Sequence, residues 1–279
     1  MKNIKLFITI LIASLSTTSC EEVVDVDLNT ADPKLVIDAS IKWEKGSNGR
    51  IQKIKLTTTT DFYTDIIPAA TGATVTVTNT TSSTPISYLF IENGQTGEYV
   101  CSNFAPVLNN DYTLTVAYKG QTYTSTSKLM ATPIIEKTEQ SIKPGFDGKD
   151  VYEIKFYFKD NANETNFYLV AAKSGKIAFP EYGVLSDEFF QGNLMFAIYQ
   201  GEDLKTGDII DYSVQGITEK YNNYMNKLIS IAGDNRNGPF AVPQAAAIRG
   251  NIINTTNPDD FPLGYFHLSE IDSDSYTIK

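Results

Sequence analysis

Apolar and polar residues alternate along most of this chain. Leu35, Ile37, Ala39, Ile41 and Trp43 occupy every second position, and a period of two predicts a half-buried strand. Gly46-Ser47-Asn48-Gly49 predicts a turn, and the chain returns over 51–59 with Ile54 and Leu56 on one face. The Thr57–Thr60 run favours extended backbone because β-branched side chains are stiff at χ1. Further strands are predicted at Gly72–Val77, Ile86–Ile91, a short piece carrying Tyr99 and Cys101, Tyr112–Tyr118 and Gln121–Ser127. About seven short strands with turn signals every ~8–12 residues are the signature of an antiparallel sandwich.

The pattern resumes after Thr132-Pro133, which places a boundary near Ala131–Glu136. Tyr152, Ile154, Phe156 and Phe158 predict a strand, and Phe167–Ala172, apolar on both faces, predicts a central one. Leu194–Tyr199 and Ile209–Val214 predict two more. Ile217, Tyr221, Tyr224, Leu228 and Ile231 change the period to that of a helix near 218–232, with Gly233 as its C′ residue. The tyrosines on that helix admit two readings: core packing with hydroxyls at the rim, or the wall of a groove offered to a partner. Leu263–Leu268 predicts a closing strand, and 273–279 either a last edge or a frayed end.

The expected fold class is therefore mainly β. An N-terminal immunoglobulin-like or transthyretin-like antiparallel β-sandwich over 35–131 is followed by a second β-rich domain over 132–279 with one amphipathic helix.

The N-terminus is different in kind. Lys2 and Lys5 precede an apolar run, Leu6–Leu15, that is too short to span a bilayer but suits a signal peptide over 1–19. Small residues Ser16–Ser19 lead to Cys20, whose thiol is placed to accept a diacylglycerol. Each buried methylene of such an anchor contributes ~0.8 kcal/mol. An ordinary cleaved signal with an incidental cysteine is the alternative. Glu21 and Glu22 follow, within an acidic tether or linker over 20–34.

Charge and composition narrow the function classes. The chain of 279 residues has formal net charge −10, and cleavage after Ser19 removes two further positive charges. An acidic body has no electrostatic footprint for nucleic acid. The chain has two cysteines and one histidine. With Cys20 acylated, Cys101 is alone among Tyr99, Val100 and Phe104, and is expected to be a buried, inert thiol. His267, the one histidine, lies in an alternating strand. A Ser-His-Asp triad, a Gly-x-Ser-x-Gly elbow, a zinc ligand set and a phosphate-binding glycine loop are not found. The carboxylate pairs Asp187/Glu188, Asp259/Asp260 and Asp272/Asp274 are expected to be solvated surface groups. No cofactor and no metal are expected.

Several pieces in fixed order resemble the domain-of-unknown-function 4249 family of Bacteroidota outer-membrane lipoproteins. They are Cys20 with its acidic followers, Pro33–Asp38, Gly72–Val77, Gly97-Glu98-Tyr99, Tyr112–Val116 with Gly120–Tyr123, Ser186–Gly192, the Tyr221–Tyr224 helix, and Gly264-Tyr265-Phe266. The resemblance implies no catalytic residues. It implies an outer-membrane, lipid-anchored protein facing the cell exterior, with Glu21 and Glu22 as the export signal. A TonB-dependent barrel is the implied partner, for which the chain would be a non-enzymatic ligand-capturing or lid subunit. The ligand class stays open: a small molecule, a glycan or a peptide. Phe189, Phe190, Tyr221 and Tyr224 are the candidate partner-binding residues, because rigid aromatic anchors dominate interfaces. A carboxylate-dependent glycan or peptide hydrolase and a structural adhesin or envelope spacer are the alternatives.

Overall fold

The computed structural model describes residues 32–61, 64, 66–145, 148–201, 203–232 and 247–279. The expected signal peptide, Cys20, Glu21, Glu22 and Gly233 lie outside the described residues. Pro33–Lys279 forms one compact unit.

Among the described residues there are fifteen strands and one helix. The first half holds β1 (Leu35–Glu44), β2 (Gln52–Thr58), β3 (Thr74–Asn79), β4 (Ile86–Glu92), β5 (Glu98–Cys101), β6 (Asp111–Tyr118) and β7 (Gln121–Met130). The second half holds β8 (Ile135–Pro144), β9 (Asp150–Lys159), β10 (Phe167–Ser174), β11 (Glu181–Ser186), β12 (Leu194–Gly201), β13 (Ile209–Ile217), α1 (Glu219–Ala232), β14 (Ile253–Asn254) and β15 (Leu263–Thr277). The mainly β expectation holds.

The seven strands of the first half lie in the order β1-β2-β5-β4-β3-β6-β7. Period two set their register: Ile37, Ala39, Ile41, Ile54 and Leu56 are buried together with Val75, Val77, Tyr99 and Tyr112. Lys119 and Gly120, at φ 46° and 75°, make the two-residue turn whose twist suits the β6–β7 hairpin.

The seams at β1 and β7 differ from the antiparallel expectation. β15, from the far end of the chain, runs parallel to β1 with Val36 opposite Leu263 and Glu44 opposite Ile271. It also meets β7 in parallel at Leu268↔Leu129. Eight strands thereby join in a barrel-like arrangement, and Phe266 and Leu268 of β15 are buried in its core.

β15 then continues into the second half. Residues 271–277 pair antiparallel with β13, so 273–279 is not a frayed end. The sheet runs on as β15-β13-β10-β11, and a three-stranded sheet, β12-β9-β8, is separate from it. Between them sits a second core, built from Ile154, Phe156 and Phe158 of β9, Met195, Ala197 and Tyr199 of β12, and Val170, Ala172, Tyr212 and Val214 of β10 and β13. The first core also takes in Ile252, Phe266 and Leu268, and Tyr276 packs on the second, so β15 contributes to both.

Candidate functional site

The site grows from the outer face of β1. Because Ile37, Ala39 and Ile41 are buried in the first core, alternation sends Val36, Asp38, Ser40 and Lys42 the other way. On the neighbouring β15, Phe266 and Leu268 point in, so Tyr265 and His267 share the outer face with them.

Helix α1 lies on the same side. Thr218 caps it: its Oγ1 accepts a hydrogen bond from the Tyr221 N–H at 3.3 Å, and Glu219 in the first turn suits the positive helix end. Tyr221 and Met225 pack on Leu169, Ile217 and Tyr265. The helix thus lies over β10 and β11 and leaves β1 open. The result is a groove of about 380 Å³, floored by the outer face of β1 and walled by Tyr221, Tyr224, Met225 and Leu228 of α1, Tyr182 of β11, and Tyr265.

The rings interlock. Tyr221 stacks on His267 at 3.9 Å between centroids and on Tyr224 at 6.1 Å. Tyr265 is tilted against Tyr221 at 4.8 Å and Tyr224 at 4.6 Å. Burial pushes the phenol pKa of Tyr182, Tyr221, Tyr224 and Tyr265 above the ordinary value, that of Tyr265 to about 12. The Asp38 carboxylate adds to the rise at Tyr182, Tyr221 and Tyr224. These phenols are neutral donors at physiological pH. Burial first, and the charge of Lys42 second, hold the His267 imidazole down to about 3, so it too is neutral. The formal charges facing the groove are those of Asp38 and Lys42. Asp38 Oδ1 accepts a hydrogen bond from Ser40 Oγ at 2.7 Å, and no ion pair among the described residues involves Asp38.

The four aromatic residues expected to bind a partner fall in two places. Tyr221 and Tyr224 are in the groove, Tyr221 largely buried and Tyr224 half-buried. Phe189 and Phe190 are in the turn between β11 and β12, 84% and 47% exposed. None of the described ring contacts joins the two pairs. Phe179, in the β10–β11 connection, is 82% exposed, and Leu194, Phe196 and Ile198 form an exposed row on β12. β11 and β12 are terminal strands of their sheets, and a cleft of about 370 Å³ between them is lined by Val170, Leu185, Phe196 and Ile198.

A family model described as Domain of unknown function (DUF4249) matches residues 21–275. The chain belongs to the DUF4249 family. Among solved structures, this DUF4249 chain is similar to the crystal structure of chicken CNTN1 FN1-FN3 domains, at 12% identity and a TM-score of 0.25, over 65% of this chain and 62% of that one. It thus spans under two thirds of that chain's length. No protein of curated function matches.

The acidic pairs of the DUF4249 chain do structural work in most cases. Asp187 is buried, against the expectation of a solvated group, and its Oδ2 accepts the Asn166 N–H at 2.8 Å. Its position opposite the start of β10 fixes that strand's first residue. Asp272 Oδ2 accepts the Ile135 N–H at 2.7 Å. Asp260 faces Lys34 at 3.8 Å and accepts from Gln121 at 3.3 Å. Among the described residues no group of three or more His, Cys, Asp or Glu side chains is placed to hold a metal ion. Cys101 is buried, and its thiol donates to Asn103 Oδ1 at 3.2 Å.

Proposed function

We propose that this chain is a non-enzymatic lipoprotein, anchored through acylated Cys20 in the outer membrane and exported to the cell surface on the Glu21-Glu22 signal. There it acts as an accessory ligand-capturing or lid subunit of a TonB-dependent transporter. The observation that carries the reading is the exposed aromatic edge. Large apolar groups left in water mark interaction sites, and Phe179, Phe189, Phe190 and Phe196 stand beside two sheet edges whose backbone groups offer a template for a further strand. That edge is the barrel-facing surface. The tyrosine groove, on a different face of the sheet, holds the ligand.

The fold belongs to the same proposal. We read the first half as an immunoglobulin-like or transthyretin-like sandwich drawn into a closed arrangement by β15. The order β5-β4-β3-β6 supports this, since three hairpin-linked strands with a fourth returning beside the first is a Greek key, the connection found in most sandwiches.

The test is a pull-down in mild detergent of the C-terminally tagged chain from its native membrane, beside a Phe189→Ser/Phe190→Ser variant. A stoichiometric β-barrel that copurifies with the wild type and is lost with the variant is the expected result. A preparation free of any barrel overturns the transporter role. Radiolabelled palmitate that remains on a Cys20→Ser chain overturns the anchor.

A further inference from the structure

We infer that the tyrosine groove recognises an organic cation of the alkylammonium class, seated against the ring faces of Tyr182 and Tyr224 with the Asp38 carboxylate as its counter-charge. The inference rests on the ligand-capture reading of the same groove and names its substrate class.

Three features of the groove converge on a cation. The first is charge. Asp38 lines the same groove as Tyr182, Tyr221 and Tyr224, and its charge raises the phenol pKa of all three. Those phenols are neutral, which leaves Asp38 as the negative charge of the groove floor. The second is a missing partner. Ser40 satisfies Oδ1, Oδ2 has no described hydrogen bond, and no ion pair among the described residues includes Asp38. The third is the rings themselves. An aromatic face carries a negative quadrupole that attracts a cation within ~6 Å of the centroid, and tyrosine serves well. Tyr182 is 40% exposed, and Tyr224, though it packs on Tyr221 and Tyr265, is only half-buried, whereas Tyr221 and Tyr265 are buried.

Lys42 sets the polarity. It lies four residues from Asp38 on the same face of β1, ~13 Å along a strand that rises ~3.3 Å per residue. It therefore repels a second positive charge and leaves the cationic end of a ligand at Asp38. A short amine with a neutral or anionic tail fits that arrangement. A free small amine and the lysine side chain of a peptide both present this ammonium chemistry.

Titration calorimetry on the detergent-solubilised full chain tests this with the monocations choline, n-butylamine and an end-capped Ala-Lys-Ala peptide, beside neutral maltotriose. At low ionic strength the wild type binds the cations and not maltotriose. Asp38→Asn weakens cation binding by tenfold or more, Tyr224→Leu does the same, and Tyr224→Phe keeps it because the ring face remains. Asp38 is exposed, so Asp38→Asn leaves the melting temperature unchanged, which separates lost binding from lost fold. Tighter binding of the capped lysine peptide than of n-butylamine assigns the cation to a peptide, and the reverse order to a small amine. Wild-type binding of no cation, or equal binding by Asp38→Asn, overturns the inference. Maltotriose bound in place of the cations overturns it while leaving capture standing; cation binding without any copurifying barrel leaves it standing while the transporter role falls.

Discussion

Tyr221 of α1 lies nearly flat on His267 of β15, with ring centroids 3.9 Å apart and planes inclined by 18°. The stack seals the imidazole under the helix. His267 Nε2 has no hydrogen-bond partner among the described residues, and Nδ1 has only the Ser269 hydroxyl at 3.4 Å. The ring is therefore held neutral beneath Tyr221, and protonating it would leave a buried charge.

That burial predicts an acid sensitivity. The imidazole pKa is about 3 in the folded chain and ~6.5 when unfolded. Between those values the unfolded state binds a proton that the folded state refuses. Stability is unaffected above pH ~6.5 and falls as the pH drops toward 3, by on the order of 4 kcal/mol over the whole window. His267→Leu removes this contribution. Denaturant midpoints measured from pH 7 to pH 4 should decline less steeply for the variant than for the wild type. Parallel declines would show that the imidazole titrates normally.

The two groove tyrosines of α1 should separate by energy. Tyr221 is 7% exposed, and truncating a buried aromatic residue costs ~3–5 kcal/mol. Tyr224 is only half-buried, so Tyr224→Ala should cost ~1–2 kcal/mol. Tyr224→Phe, which keeps the ring, should stay within ~0.5 kcal/mol of wild type. Urea unfolding curves rank the three, and an equal cost for Tyr221→Ala and Tyr224→Ala would refute the packing described for α1.

How far this architecture could be read from the chain depends on which faces are buried. β1, β2, β6 and β9 each hide one face, so period two appears in their residues. No residue of β8 is buried, and its Glu, Lys, Thr, Gln and Ser residues carry no alternation to find. β11 is short and holds Gly183. β15 was legible as a strand to Leu268, and 273–279 stayed open between a last edge and a frayed end, because Asp272–Ser275 carries no apolar alternation and is made strand by pairing with β13. The groove was half legible. Tyr221 and Tyr224 showed at helical spacing, but Asp38, Ser40 and Lys42 read as the ordinary polar face of a strand, and no local signal marked Tyr182. Their convergence follows from the parallel seam between residues more than two hundred positions apart.

That seam predicts how the halves depend on each other. A fragment of residues 33–131 lacks β15, and with it the Phe266 and Leu268 side chains of the first core and the hydrogen bonds along β1. Losing two fully buried apolar side chains costs roughly 5–10 kcal/mol, which before the lost strand pairing is already of the order of the 5–15 kcal/mol that holds a typical domain together. The fragment should show no cooperative thermal transition and a collapsed amide dispersion in proton NMR. Supplying a peptide of residues 260–279 in trans should restore part of the dispersion. A cooperatively folded fragment without the peptide would show that the first half closes on its own strands.

The register of the same seam rests on one glycine. Gly264 sits opposite Ile37 at φ +93°, and a Cβ added there would lie 2.1 Å from the Ile37 carbonyl oxygen. That φ is open to glycine and strained for any other residue, and the obstructing atom is backbone within a paired strand, which cannot step aside. Gly264→Ala therefore has to part β15 from β1 or abandon the turn that starts the strand, at a cost of roughly 4 kcal/mol or more. Gly175 is the contrast: nothing lies within 4 Å of its added Cβ and its φ is unremarkable, so Gly175→Ala should shift stability by less than ~0.5 kcal/mol. Hydrogen exchange locates the damage as well as its size. In Gly264→Ala the amides of 36–44 and 263–271 should lose protection together while those of β9 and β12 keep theirs. Unchanged protection along β1 would mean that the parallel pairing does not depend on this position.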